Sequence, residues 1–298
     1  MFDQSRIYYK LLRQIVTEGQ QRGELTPALS AKEIARIYAI SERGMIYEEF
    51  TSREHEVLSG IVHRIDPKNG NVYMKVASNG DMTEAVMLAG ERVKGEVISE
   101  GDRLKVYVVE VRRSTRGPQI IISRTHPGLV KRLFELEVPE IFDGTVEIKS
   151  IAREAGSRTK IAVWSNDPEV DAIGACVGAK GARVDNVVAE LGGEKIDIVN
   201  YSDDIENFVA AALAPAEVYS ATLLEDGRSC RVIVPDNQLS LAIGKEGKNA
   251  RLAAKLTNCK IDIKPASQMM ESGSIKIDLS KLDLSEDSAE EAEANEEE

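Results

Sequence analysis

Residues 175–199, ACVGAKGARVDNVVAELGGEKIDIV, align with residues 241–264, LAIGKEGKNARLAAKLTNCKIDIK, once one inserted residue is allowed. The offset is 66 residues, measured from Gly178 to Gly244, and self-similarity at a fixed offset identifies two copies of one structural unit. In each copy an apolar helix end runs into a G-x-x-G turn, a second helix starts at once, and a K-I-D-I strand follows. A lone G-x-x-G marks a turn and little more. Repeated in the same setting, it has a chemistry. The glycines (Gly178 and Gly181, Gly244 and Gly247) permit a tight turn and remove the side chains that would hold an approaching chain off. A nucleic-acid backbone can then lie across the turn, beside the amides that open the next helix. Lys180 in the first turn and Lys245 in the second supply positive charge; Arg183, Lys248 and Arg251 extend it along the following helices, and Glu246 opposes it.

Working outward, each turn sits in the same order of elements. In the first copy 144–156 and 158–165 read as a hairpin, 168–176 as a helix into GAKG, then a helix to Leu191 and a strand at 194–200. In the second, a helix at 203–213 precedes strands at 216–225 and 229–235. A helix at 236–243 then meets GKEG, with a helix to Leu256 and a strand at 259–265 after it. A hairpin before the turn and a strand at the end match the prokaryotic form of the KH module, which reads about four unpaired nucleotides. Residues 127–200 and 201–268 are therefore read as two tandem KH domains.

Ahead of them the periodicity is that of short strands. VLSGIVHRI at 57–65, NVYMKV at 71–76, EAVML at 84–88, GDRLKVYVVEV at 101–111 and PQIIISR at 118–124 are separated by turn residues. Five strands in so short a span suit a small closed barrel, since closure removes exposed edges. Residues 53–126 are read as a five-stranded OB-fold barrel similar to the S1-type RNA-binding domain. Its candidate RNA face holds His63, Arg64, Tyr73, Lys75, Arg112, Arg113 and Arg116, the aromatic and basic types that hold single strands. Between barrel and repeat, 129–142 reads as a helix.

Residues 1–52 read as helical, with a turn at 23–30 and Ser30 and Glu33 in the capping-box pattern ahead of a helix towards Phe50. Two helices alone make a meagre core, so they are expected to pack on the next domain or on a partner chain. At the other end, residues 271–298 hold eleven acidic and two basic residues and carry −9 of the formal net charge of −12. The rest of the chain is thus only mildly acidic, which is compatible with a locally basic RNA groove. The tail (269–298) is expected to be disordered. If it also competes with RNA for the basic turns, deleting 271–298 should tighten RNA binding several-fold at low salt and less at physiological ionic strength. Equal affinities of intact and truncated chain at both salts would leave the tail a solubilising role only.

The fold class read from sequence is thus multidomain α+β: a short helical segment, an OB-fold barrel, two KH domains and an acidic tail. The segments VPEIFDGTVEIKSIAREAGSRTKIAVWSNDPEVDAIGACVGAKGARV (138–184) and RVIVPDNQLSLAIGKEGKNARLAAKL (231–256) closely resemble the KH pair of the NusA family of bacterial transcription factors. The resemblance covers roughly 42–265. It implies single-stranded nascent RNA and RNA polymerase as partners, with other antitermination factors, and a role in pausing, termination and antitermination. It also implies that the KH pair forms one extended RNA surface. The start of the chain departs from the family, which carries more than a hundred residues before the barrel. Here ERGMIYEEFTSRE at 42–54 fits the family junction, whereas YYKLLRQIVTEGQQRGELTPALSAKEIARIYAI resembles the C-terminal helices of a TetR-type repressor, as in a truncated or fused N-terminus. The expectation is RNA binding with weak polymerase binding and poor enhancement of pausing, the alternative being an RNA-binding or protein-interaction fragment that no longer binds polymerase. Co-elution of an equimolar complex with core polymerase would overturn it.

Other function classes find little support. No P-loop, G-x-S-x-G or H-E-x-x-H is present, so no catalytic residue, metal or cofactor is assigned. Asp167 and Asp171 read as solvated loop acids. Cys176, Cys230 and Cys259 form no C-x-x-C pair and read as reduced thiols of a cytoplasmic protein. KH-containing phosphorolytic nucleases would need catalytic domains that this sequence lacks. A pure protein scaffold is separated from an RNA binder by the steep salt dependence that phosphate contacts impose. No apolar run resembles a signal peptide or a membrane span.

Overall fold

The computed structural model describes residues 2–25, 28–78, 81–114 and 117–271. Two compact units are present, one running to Asp203 and including Lys255–Thr257, the other taking the remaining residues. The candidate Arg116 and the acidic tail beyond residue 271 lie outside the described residues.

The first unit opens with α1 (Phe2–Gln21) and α2 (Ala31–Ser52). Ser30 caps α2: its hydroxyl accepts from the Glu33 amide, and the Glu33 carboxylate accepts from the Ser30 amide at 2.9 Å. The capping box read from sequence is therefore formed. Of the two packing partners expected for these helices, the structure shows the next domain. Phe50, fully buried, enters the barrel core, with Ile46 and Tyr47 packed against it.

The barrel is built from β1 (Val57–Ile65), β2 (Val72–Ser78), β3 (Asp81–Met87), β4 (Arg103–Ser114) and β5 (Gly117–Ser123). It closes in the order β1-β2-β3-β5-β4, antiparallel except for the parallel pair β3–β5. Strand alternation does the sorting: Val72, Met74 and Val76 of β2 point into the core and leave Tyr73 and Lys75 on the outer face. Gly60, paired with Val76 of β2, leaves little room for a side chain, since a Cβ there would lie 3.1 Å from the Lys75 carbonyl oxygen.

Next come α3 (Pro127–Glu137) and α4 (Pro139–Phe142). The single helix expected over 129–142 is thus two. Pro139 has no N–H to continue the ladder and pushes Val138 into extended backbone, so the chain breaks there. The first repeat follows as β6 (Val146–Glu154), β7 (Arg158–Ser165), α5 (Ala172–Val177), the GAKG turn, α6 (Ala182–Glu190) and β8 (Lys195–Asn200). Its sheet runs β6-β7-β8, with β7 and β8 parallel. Leu129, Leu133 and Phe134 of α3, Ile161 and Val163 of β7, Cys176 of α5 and Val187 of α6 share one core. The helix expected from 168 starts only at Ala172. Asp171 is its cap, with Oδ1 accepting from the Ile173 amide at 3.1 Å, and Asp167 Oδ1 accepts from the Glu169 amide at 2.9 Å. Both acids therefore serve turns.

Two buried arginines stand near the junction of barrel and repeat, and Arg124 of the barrel reaches Glu190 of α6 across it. Arg124 donates to Glu96 and to the backbone oxygens of Lys105 and Glu190, both at 2.8 Å. Arg153 holds Glu194 through two 2.9 Å contacts, and Glu194 also accepts from Thr159 and from the Gly156 amide. Burial pushes the Glu194 carboxyl up, but these donors outweigh it and hold the pKa below the ordinary glutamate range.

The second unit repeats the plan as α7 (Ile205–Ala212), β9 (Ser220–Leu223), β10 (Ser229–Val234), α8 (Leu239–Ile243), the GKEG turn, α9 (Lys248–Thr257), β11 (Lys260–Pro265) and α10 (Ala266–Glu271). Its sheet runs β9-β10-β11, again with the last pair parallel. The strand expected over 216–225 shrinks to four residues because pairing with β10 runs only from Ser220 opposite Ile233 to Leu223 opposite Cys230. The helix expected from 236 is a 3-10 turn at Asp236–Gln238 followed by α8.

The repeated K-I-D-I strand has a reason in this register. Asp197 lies opposite Lys160, 3.1 Å from its Nζ, and Asp262 lies opposite Arg231 at 3.8 Å. All three cysteines are buried and unpaired, and burial pushes the Cys176 thiol up to about 12. No helix among the described residues is long and apolar enough to cross a membrane.

Candidate nucleic-acid interface

The two G-x-x-G turns have nearly the same backbone. Gly178 has φ 72° and ψ 178°, and Gly244 has 75° and 167°. The third position is left-handed in both, Lys180 at φ 53° and Glu246 at φ 58°, and Gly181 and Gly247 follow at 81° and 71°. Non-glycine residues pay about 1–2 kcal/mol for that conformation. Both turns bear it at the same place, so the shape is set by the unit and not by one residue's preference. A short helix stops at the first glycine, and the next helix opens immediately after the second. The first amide of that helix donates back into the turn, Ala182 to the Ala179 oxygen and Lys248 to the Lys245 oxygen, and the positive end of the helix dipole favours an anion there.

The charges are not equivalent. Lys180 occupies the third position of its turn, whereas Lys245 occupies the second and Glu246 takes the third. Both lysines are exposed. Glu246 pairs with Lys248 at 3.2 Å, and that contact holds its carboxyl below the usual range. Arg251 donates from Nη2 to the Glu246 backbone oxygen at 3.0 Å. In the first repeat the position of Arg251 is taken by Asp185, whose carboxylate lies beside Gly181. The second turn is therefore the more basic.

Arg183 differs from the other cations. It is half-buried, and its Nη1 donates to the Ala175 backbone oxygen at 2.6 Å and to Glu140 of α4 at 2.9 Å. Beside the turns stand apolar side chains that charge reasoning passed over. Leu241 and Ile243 of α8 are 45% and 40% exposed, and Ile173 and Val177 of α5 are half-buried. Their signal in the sequence was the apolar run entering each G-x-x-G, which reads equally well as core.

On the barrel the structure brings part of the expected face together. Arg64 stacks over the Tyr73 ring at 3.5 Å, and the two are cross-strand partners on β1 and β2. His63 is exposed one residue before, at a bulge in that ladder. Lys75 is on the same outer face, opposite Glu84 of β3. Arg112 and Arg113 belong to a different ladder, β4–β5. Arg112 pairs with Glu110, and Arg113 stacks over Tyr47 of α2 at 4.3 Å. Tyr47 had no place in the reading from sequence.

Residues 124–201 match the family description "NusA-like first KH domain" and residues 205–271 match "NusA-like second KH domain". The chain is 51% identical over 257 residues to the transcription termination/antitermination protein NusA of Halalkalibacterium halodurans, covering 85% of this chain and 66% of that protein. It is 54% identical over 233 residues to the protein of that name from Bacillus subtilis, covering 78% and 61%. With that of Mycobacterium bovis the identity is 49% over 245 residues, covering 81% and 71%. The chain thus spans about two thirds of the length of these relatives.

Proposed function

Because this chain belongs to the NusA family of transcription termination/antitermination proteins, we propose that it binds single-stranded nascent RNA and acts through it on pausing, termination and antitermination by RNA polymerase. The observation that supports this most is the pair of G-x-x-G turns with matching backbone, each presenting an exposed lysine beside the opening amides of a helix. Phosphates would lie across Gly178–Gly181 and Gly244–Gly247, met by Lys180, Lys245, Lys248 and Arg251. Bases would turn towards Ile173 and Val177 in one repeat and Leu241 and Ile243 in the other. The Arg64–Tyr73 pair, with His63 and Lys75, offers a second stacking place on the barrel, since base–aromatic stacking is worth about 1–3 kcal/mol per base. RNA polymerase and other antitermination factors are the proposed protein partners.

The test has two arms. Titration of a single-stranded RNA across a range of salt should give a steep linear fall of log affinity with log salt, from the cations at the two turns. A flat salt response would argue against phosphate contact. Gel filtration with core polymerase then reads the protein arm: an equimolar complex supports action on the enzyme and overturns the weakened polymerase binding expected from residues 1–50, and RNA binding without it confines the role to RNA.

A further inference from the structure

We propose that Arg183 and Asn249 are the same positioning device in the two repeats, each locking its G-x-x-G turn in the shape that admits RNA without touching RNA itself. The inference rests on the RNA-binding reading of the turns. Each residue is the fifth after the first glycine of its turn, and the two lie 66 positions apart, in step with the repeat. Their chemistry differs, arginine in one case and asparagine in the other, yet they do the same two things.

The first is to fill the notch over the leading glycine. A Cβ built on Gly178 would lie 2.7 Å from Arg183 Cγ, and one built on Gly244 would lie 2.7 Å from Asn249 Cβ. The first glycine of each turn is therefore needed to receive this side chain as well as to turn the backbone. The second is to satisfy the end of the helix that enters the turn. Arg183 donates to the Ala175 backbone oxygen, and Asn249 donates from Nδ2 to the Ala242 oxygen at 3.0 Å and more loosely to Leu241 at 3.4 Å. Ala175 and Leu241 are also 66 apart. The entering helices have six and five residues, too short to hold themselves, and their last carbonyls have no intrahelical donor.

Each device is anchored a third time, on a helix that precedes the hairpin of its own repeat. Arg183 pairs with Glu140 of α4, while Asn249 donates to the Leu213 backbone oxygen at the end of α7 at 2.9 Å. Asn249 is 1% exposed, so its part cannot be phosphate contact. The equivalence extends the same part to Arg183, whose side chain is 31% exposed and is held by Glu140 and the Ala175 carbonyl.

The experiment uses the full chain with Arg183→Ala and Arg183→Asn, a single-stranded RNA titrated at several salt concentrations, and thermal unfolding alongside. Arg183→Ala should weaken binding about five- to tenfold, while the slope of log affinity against log salt stays as in the parent. Arg183→Asn should restore affinity to within about twofold despite losing the charge, because asparagine does this work at the equivalent position. Amide hydrogen exchange at 178–181 without RNA should quicken in the alanine variant and recover in the asparagine one. An asparagine variant as weak as the alanine one, with the salt slope reduced by about 0.7, would make Arg183 a direct phosphate contact and overturn the proposal. An alanine variant of unchanged affinity would overturn it too. Should Arg183→Ala fail to fold, the asparagine variant decides alone by the same criteria. Gly181→Asp, run in parallel, keeps the premise separate: unchanged RNA binding in that variant would count against the turns as the RNA site and not against the device.

Discussion

Gly247→Asp is expected to lower affinity for single-stranded RNA about tenfold, Gly181→Asp somewhat less, and the double variant about a hundredfold, with 1.4 kcal/mol for each factor of ten. The second glycine of each turn is the informative place for a charge. At the first glycine any side chain would meet Arg183 or Asn249, so loss of binding there would mix collision with electrostatics. At Gly181 and Gly247 the nearest atoms to an added Cβ are side-chain ends at 3.4 and 3.9 Å, and aspartate is among the residues that tolerate the left-handed backbone. The added carboxylate would stand among the opening amides of the helix, where a phosphate is to lie. The larger effect is assigned to Gly247 because the second turn has the greater positive charge to lose. Gly181 already stands beside Asp185. Filter binding checks the affinities and circular dichroism the fold. A double variant that binds as the parent does would remove the turns from the RNA site.

Glu194→Ala is expected to destabilise the first unit by about 3–5 kcal/mol, because it leaves the Arg153 guanidinium buried without its partner. Arg153 and Glu194 side chains are 2% and 0% exposed, so water cannot take over the lost contacts. The Thr159 hydroxyl and the Gly156 amide lose their acceptor in the same step. Replacing both partners by apolar residues, Arg153→Met with Glu194→Leu, should cost much less, since no charge is then stranded. Urea unfolding followed by fluorescence of Trp164, the single tryptophan, reads this unit directly because Trp164 lies on β7. Equal midpoints for the parent and Glu194→Ala would show that the pair contributes nothing.

The same pair sets an acid limit. Glu194 has a folded pKa below its ordinary 4.5, so its contribution is complete above that value and is lost as pH falls through the folded pKa. The unfolding midpoint should therefore drop at acid pH in the parent and be flatter in the double apolar variant.

The legible part of this protein was its local and periodic part. Two similar stretches at a fixed offset announced the repeat, and the glycines announced the turns. Ser30 with Glu33 announced a helix start, and alternation in NVYMKV told inside from outside on the barrel. These signals depend on neighbours within a few residues, or on comparing the chain with itself, and need no knowledge of what packs on what. Where the sequence reading erred, a local breaker or the extent of strand pairing outweighed the apolar pattern. β9 is short because β10 offers it only four partners, and the helix at 129–142 broke where Pro139 outweighed an apolar pattern that ran on unchanged.

Charge was the property that the sequence stated least well. From sequence, Lys180 and Arg183 were candidates at the turn, and Arg112 and Arg113 candidates on the barrel face. Tertiary structure left Lys180 exposed, tied Arg183 to Glu140 and the Ala175 carbonyl, paired Arg112 with Glu110 and laid Arg113 on Tyr47. Asn249 could not be singled out from sequence at all, since its importance lies in three backbone oxygens that fold around it. The sequence alone determined the repeated units, their turns and the closed barrel, because propensity and periodicity act along the chain. Only the tertiary structure decided which cations are held by neighbouring acids and carbonyls, because that depends on what the fold brings within hydrogen-bond reach.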